Sequence, residues 1–354
     1  MSSISFLSEL KNFTNEFSKY AKTYFSQRQK VVKKYPPLIS RLYRELEEFG
    51  VGGKAMRPFL VYLGCRIGLS GQSVRRSDLK KILPICLAFE MVHNFLLIHD
   101  DIIDKSGVRR GKQTVHKKFE ENRDEHYGIS QAIVAGDIAF LEALDLINKS
   151  NYSNELKSRC MDLLVKVILD TGYGQVLDVD YAYMRSNLKN IRQVVELKTA
   201  RYSFVGPLTI GAVLGGAKDS QIKALEKFGL LCGMAYQLQD DILGVFGDEK
   251  TLGKSTLSDM QEGKNTVLFY KTRDLASNLQ GRLLDKVWGD KRATVSDLLG
   301  VQTIMKDCGA LVWCQKEMKK LVKDAKKSVD AITGDSRLAA IFYECADFVI
   351  FRKS

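Results

Sequence analysis

Prolines are scarce in this chain: five among 354 residues, at Pro36, Pro37, Pro58, Pro84 and Pro207. Proline removes a backbone donor and clashes with the preceding helical turn, so a chain this poor in it leaves long segments open to helix. Apolar residues recur within those segments at intervals of three and four, the spacing of one helix face, and no convincing alternation marks a strand. The pattern predicts an all-α chain. No glycine-, serine- or proline-rich linker divides it and no repeat of fixed period appears, which predicts a single helical domain over residues 1–354, long enough to bury a sizeable core. The seven cysteines are odd in number, form no CxxC pair and lie mostly in apolar helical contexts, as core thiols in a reducing compartment would. The start, MSSISFLSELKNF, lacks the basic end and apolar block of a signal peptide, and the longest apolar run, Ile82 to Ile98, is interrupted by Glu90 and His93. These features predict a cytoplasmic protein with no integral membrane segment.

That apolar run ends in HDDIID, His99 to Asp104. On a helix Asp100 and Asp104 are four apart and Asp101 and Asp104 three apart, so the three carboxylates share one patch of surface where they repel. Clustered carboxylate oxygens are what a hard divalent cation takes. Taken alone the stretch also reads as a core helix ending in an acidic turn, and His93 and His99 as core histidines. A second paired Asp closes another apolar helical run, QLQDDILG, with Gln237, Asp240 and Asp241 at helical spacing. Two such ends, about 140 residues apart, can hold Mg²⁺ between facing helices of a bundle.

The formal charge of +12 at pH 7 is compatible with nucleic acid, an anionic membrane or an anionic substrate. No nucleic-acid-binding module is present and aromatic residues do not interleave with the basic ones, which argues against nucleic acid. Basic residues instead sit beside the acidic clusters, in GVRRGK (Gly107 to Lys112), at Lys254 and Lys264, and in GVGGKAMRP (Gly50 to Pro58), where Lys54 and Arg57 precede a helix start suited to phosphate. The glycines near Lys254 are not a Walker A loop, since neither the spacing nor a preceding strand is there. An apolar stripe runs back from Asp100 through Leu96 and His93 to Phe89, offering a place for a hydrocarbon chain.

The ordered set GGKAMRP, EMVHNFLLIHDDIIDKSGVRRGKQTVH, ELKTA and QLQDDILGVFGDEKTLGKSTLSDMQEGKNT resembles the trans-isoprenyl diphosphate synthases (polyprenyl synthases), in particular short-chain geranylgeranyl diphosphate synthases of archaeal type. The resemblance implies an isoprenoid synthase helical bundle around a central apolar cavity, condensation of isopentenyl diphosphate with an allylic diphosphate (dimethylallyl, geranyl or farnesyl), and three Mg²⁺ with substrate bound. It implies that Asp100, Asp104 and Asp240 ligate Mg²⁺, with Asp101 and Asp241 supporting them directly or through a hydrogen bond. Lys54, Arg57, His93 and Arg110 match positions that hold isopentenyl diphosphate. Arg109, Lys198, Lys254 and Lys264 match those that grip the allylic diphosphate, with Thr199 and Gln237 lining the reacting centre. Asp100, Asp104, Asp240, Lys198 and Arg109 are thereby the candidate catalytic groups.

Two positions depart from the family's pattern. Ala55 stands where a basic residue is usual, and Gly244 replaces the last Asp of the second motif, as in a subset that includes archaeal geranylgeranyl synthases. Helix geometry puts Leu96 in the turn directly below Asp100, and the resemblance implies that Phe95, five residues before Asp100, is the principal floor that stops the growing chain. Members of the family that stop at farnesyl tend to carry aromatics at both positions or a two-residue insertion in the first motif, so one aromatic here, without an insertion in DDIID, implies by the resemblance geranylgeranyl diphosphate, with farnesyl diphosphate the alternative. Long apolar helices such as Leu87 to Ile98 and Phe204 to Leu214 suggest a homodimer. Three rivals remain: an HD-type metal phosphohydrolase built on His99-Asp100, a terpene cyclase, which normally has Asn, Ser and Glu in its second metal motif, and a silent prenyltransferase subunit, which usually lacks one of the aspartate motifs.

Overall fold

A computed structural model describes residues 5–50, 53–69, 75–109, 111–121, 123–184, 186–249 and 255–352. In chain order the elements are α1 (Phe6–Val32), α2 (Pro37–Gly50), α3 (Met56–Gly68), α4 (Arg76–Ile103), the hairpin β1 (Val108–Arg109) and β2 (Lys112–Gln113), α5 (Val115–Glu120), α6 (Glu125–Asn148), α7 (Asn154–Tyr183) and α8 (Leu188–Val194). A π-helical segment, Val195–Val205, leads into α9 (Gly206–Gly215) and α10 (Asp219–Phe246). Then come α11 (Thr256–Gln261), α12 (Val267–Leu275), α13 (Asn278–Val287), α14 (Val295–Asp307), α15 (Ala310–Lys326), α16 (Val329–Ile332) and α17 (Ser336–Phe351). The predicted helical class holds, and the hairpin is the only sheet among the described residues.

Contacts divide the chain into two compact units, each discontinuous in sequence. The first is Met1–Leu164, Pro207–Ile222 and Asp335–Leu338; the second is Val165–Gly206, Lys223–Gly334 and Ala339–Ser354.

In the first unit α4 packs along α6 and against α3. Nearly every residue of α4 from Ile82 to Asn94 is buried, which explains why its sequence is apolar on all sides rather than on one face. It is also the one described helix long and apolar enough to cross a membrane, but most of it is buried inside this fold. α3 meets α9 with backbones almost touching. A Cβ on Gly211 would lie 2.0 Å from the Val61 carbonyl oxygen, and one on Gly64 2.1 Å from that of Leu208, so only glycine permits the crossing. Buried Glu142 of α6 accepts hydrogen bonds from Tyr24 and Arg28 of α1 and Tyr43 of α2, tying three helices through a carboxylate that burial would otherwise penalise.

In the second unit the π segment is held between α7 and α10. A Cβ on Gly174 would meet the Lys198 backbone nitrogen at 2.4 Å, and one on Gly233 the Ala200 Cα at 2.6 Å. All seven cysteines are unpaired and six are buried, as their apolar contexts implied.

The surface expectation needs correction. Leu87–Ile98 and Phe204–Leu214 are largely core: Met91, Val92, Ile98, Phe204, Leu208 and Ile210 are all buried within one copy. Exposed apolar side chains lie elsewhere and are spread over several helices, among them Ile133, Val134 and Leu141 on α6 and Val165, Leu169, Tyr173 and Val176 on α7. A run that is apolar all round marks an interior helix, whereas a surface left for a partner shows as a stripe.

Candidate active site

The first acidic end forms because α4 stops at Asp104, which caps it with its amide donating to the Asp100 carbonyl, and Lys105 then turns left-handed (φ 54°). Adjacent residues on a helix point about 100° apart. Asp101 is therefore buried, its side chain 1% exposed, while Asp100 is 20% exposed. The β1–β2 hairpin brings Arg109 back to this end, where its Nε donates to Asp101 Oδ1 at 2.6 Å and its Nη2 lies 3.5 Å from Asp100 Oδ2. Arg110 lies outside the described residues.

Further along the same unit, Arg57, on the first turn of α3, reaches His93 of α4: Nη1 is 3.0 Å from His93 Nε2. A guanidinium only donates, so His93 Nε2 is the acceptor in this contact. Lys54 is exposed just before α3. Between them Ala55 is left-handed (φ 48°, ψ 37°) and buried, so the position that departs from the family's pattern is also a strained entry to the helix.

Phe95, half-buried one turn below Asp100, packs on Phe140 of α6 (centroids 5.1 Å) and edge-on to His99 (4.9 Å), and Leu96 is half-buried beside it. His99 turns toward α6, with Nε2 3.1 Å from the Ile133 carbonyl and 3.7 Å from Asp137, in space that Gly136 leaves open. A metal-binding HD pair needs His99 and Asp100 on one ion, and this placement directs His99 to a different partner.

The second acidic end, in the second unit, repeats the division of labour. Asp240 is 41% exposed and Asp241 is buried. Asp241 Oδ1 accepts from Gln237 Nε2 (3.0 Å) and Oδ2 from the Val267 amide (2.9 Å) at the start of α12, while Gln237 Oε1 accepts from Thr199 Oγ1 (3.1 Å). Burial pushes the Asp241 carboxyl up to about 7, although both hydrogen bonds favour its ionised form. Lys198, on the π segment, donates to Asp178 Oδ2 of α7 (2.6 Å). π segments concentrate at functional sites, and this one carries both Lys198 and Thr199. Lys264 pairs with buried Asp259 (3.0 Å) and with Glu262 (3.2 Å). Lys254 lies outside the described residues.

Gly244 faces Asp259. A Cβ there would lie 2.0 Å from Asp259 Oδ2, so a carboxylate from α11 occupies the place beside the motif where its last Asp would stand. Sequence reasoning missed Asp259, Asp178 and Arg352, which donates to Asp240. Gly174, four residues before Asp178 inside a helix, was the available signal for a close approach there.

The donor set suits magnesium. It consists of carboxylates at helix ends, with cations beside them for phosphate. Among the described residues no three His, Cys, Asp or Glu side chains converge as an all-protein metal cage. Mg²⁺ is commonly held by one or two carboxylates and completed by water and substrate phosphate oxygens, which such an arrangement accommodates.

The profile of the polyprenyl synthetase family matches residues 38–305, and the chain belongs to that family. It is 31% identical over 304 residues to a geranylgeranyl diphosphate synthase of Methanosarcina mazei, covering 85% of this chain and 86% of the relative. It is 32% identical over 311 residues to one of Sulfolobus acidocaldarius, covering 86% and 88%. Among solved structures it is similar to geranylgeranyl pyrophosphate synthase from Corynebacterium glutamicum complexed with isoprenyl diphosphate and magnesium, with a TM-score of 0.85 at 28% identity over 99% of this chain and 100% of that one. The fold is thus the all-α fold of the polyprenyl synthases.

Proposed function

We propose that this chain is a Mg²⁺-dependent trans-prenyltransferase, acting as one catalytic domain, that condenses isopentenyl diphosphate with dimethylallyl, geranyl or farnesyl diphosphate and makes mainly geranylgeranyl diphosphate. Membership of the polyprenyl synthetase family, with relatives named for that product, is the observation that carries the reading. The interleaving of the two units along the chain supports a single domain.

Asp100, Asp104 and Asp240, supported by Asp101 and Asp241, would hold Mg²⁺, three ions with substrate bound. When bound, the metal neutralises charge growing on the departing diphosphate. Arg109, Lys198, Lys254 and Lys264 add fixed positive charge for the same leaving group, where preorganised cations act most strongly. Lys54, Arg57, His93 and Arg110 hold isopentenyl diphosphate so that its double bond meets the allylic carbon. His93, with Nε2 against Arg57, orients that guanidinium for phosphate. Phe95 and Leu96 floor the growing chain. Unpaired cysteines support a cytoplasmic setting, and the exposed apolar stripes of α6 and α7 support a homodimer.

The test is product chromatography with labelled isopentenyl diphosphate and each allylic primer. A twenty-carbon product released together with inorganic diphosphate supports the reading. A fifteen-carbon end product moves it to farnesyl diphosphate synthase, free phosphate alone to a phosphohydrolase, and no product without a partner chain to a silent subunit. Asp100→Ala and Asp240→Ala should each lower turnover on the order of a hundredfold or more. Near-normal turnover in either overturns the roles given to the two motifs.

A further inference from the structure

The last described residue of the chain, Arg352, is bound to the second acidic motif. Its amide continues α17 by donating to the Phe348 carbonyl (3.2 Å), and its own carbonyl accepts from Gln239 Nε2 of α10 (3.2 Å). The side chain lies against the next turn of α10. Nη2 donates to the Tyr236 carbonyl (3.0 Å) and to Asp240 Oδ1 (2.5 Å), and the guanidinium carbon lies 3.6 Å from the centroid of the Tyr236 ring. Arg352 is 5% exposed, while Asp240 is 41% exposed. A guanidinium so far removed from water needs a counter-ion, and Asp240 supplies it. The carbonyl and ring of Tyr236 fix the guanidinium relative to α10. One oxygen of Asp240 is therefore tied to a group that cannot swing with it.

We propose that Arg352 is a positioning residue for Asp240: the C-terminal end of α17 clamps one carboxylate oxygen of the second acidic motif and so sets the orientation in which that carboxylate meets a divalent cation. The inference rests on the reading above in assigning Asp240 to Mg²⁺. Partners that orient a metal ligand by hydrogen bonding typically change metal affinity by 10–100-fold when removed, and the expected effect here is at the low end, about tenfold, because Asp240 stays partly in solvent. The planar fork of arginine reaches the Tyr236 carbonyl and the carboxylate together while stacking on the ring, which a lysine ammonium does not reproduce.

The experiment uses the full chain with Arg352→Gln, Arg352→Lys and Asp240→Asn. Two readouts are taken: the half-saturating Mg²⁺ for condensation, and the Mg²⁺ concentration giving half of the thermal shift with inorganic diphosphate present. In Arg352→Gln both should rise about tenfold, with turnover at saturating Mg²⁺ within about twofold of wild type. Arg352→Lys should fall between the two. On the Asp240→Asn background, Arg352→Gln should add nothing to the Mg²⁺ requirement. A purely structural role would lower the melting temperature in EDTA and leave both Mg²⁺ midpoints unchanged, and that result overturns the proposal, as does a lowered Mg²⁺ requirement. Should Arg352→Gln not fold, Arg352→Lys, which keeps the buried charge, decides: an intermediate requirement supports the clamp and a wild-type one refutes it. Failure of the functional reading is separable, since it would show as wild-type turnover in Asp240→Ala whatever Arg352 does.

Discussion

Gly244→Asp restores the residue that the family's second motif usually carries, and by sequence alone it should help. The structure predicts harm. The new Cβ would sit 2.0 Å from Asp259 Oδ2, and Asp259 is buried with its other oxygen on Lys264 at 3.0 Å. The colliding atom is the end of a side chain and can rotate, but rotation breaks a charge-assisted bond to a lysine that is 40% exposed, a loss of about 1 kcal/mol. The larger cost is electrostatic. A second carboxylate about 5 Å from that of Asp259 at an effective dielectric near 20 is repelled by about 3 kcal/mol, of which Lys264 offsets a part. Replacing glycine inside α10 recovers only about 0.5 kcal/mol of helix propensity. The net expectation is a destabilisation of about 3 kcal/mol, large against a typical stability of about 5–15 kcal/mol.

Urea unfolding in EDTA, followed by circular dichroism, measures this without metal. Gly244→Ala isolates the steric part and should cost less than about 1 kcal/mol, because propensity and crowding nearly cancel. The double variant Gly244→Asp/Asp259→Ala removes the collision and restores the number of carboxylates, and should recover most of the loss. Turnover should follow the same order. If Gly244→Asp alone were within about 0.5 kcal/mol of wild type and equally active, the view that Asp259 stands in for the missing carboxylate would fall.

Phe95→Ala opens the turn below Asp100 between Phe140 and His99, and product chromatography should show chains longer than twenty carbons with ionisation retained; an unchanged distribution would move the floor to Val92 or Leu96. Gly211→Ala drives a methyl into the Val61 carbonyl, a backbone atom that cannot rotate away, and should cost about 3 kcal/mol by urea unfolding, whereas Gly281→Ala, which meets nothing within 4 Å, should be neutral or slightly stabilising. Sedimentation at micromolar concentration should give a dimer, and Leu141→Lys, at a residue 61% exposed in one copy, should shift it toward monomer; a wild-type monomer with full activity would refute the pairing.

The helical class and the two acidic ends could be read from the sequence because both are local: three- and four-residue spacing makes a helix, and neighbouring aspartates stay neighbours. Even the inequality within each Asp pair follows from the helical turn, which buries Asp101 and Asp241 where it leaves Asp100 and Asp240 at the surface. What escaped was set by packing over long separations. The π segment differs from an ordinary helix by one residue per turn, a change that Val195–Val205 does not announce and that coincides with close approaches at Gly174 and Gly233. Arg352 reaches Asp240 from the far end of the chain, and no spacing rule connects them. The apolar runs misled for a physical reason: burial inside one copy and burial between copies draw on the same side chains, and only exposure separates them.

Glycines placed inside helices offered the missing signal. Gly64, Gly174, Gly211, Gly233 and Gly244 serve as neither caps nor turns, and at each an added methyl would strike another segment. Interior glycine costs a helix about 1 kcal/mol relative to alanine, so its presence there implies a compensating contact. For Gly211 and Gly64 the contact is a helix crossing that sets α3, and with it Arg57. For Gly174 and Gly233 it is the backbone beside Lys198. For Gly244 it is the carboxylate of Asp259, which is paired with Lys264.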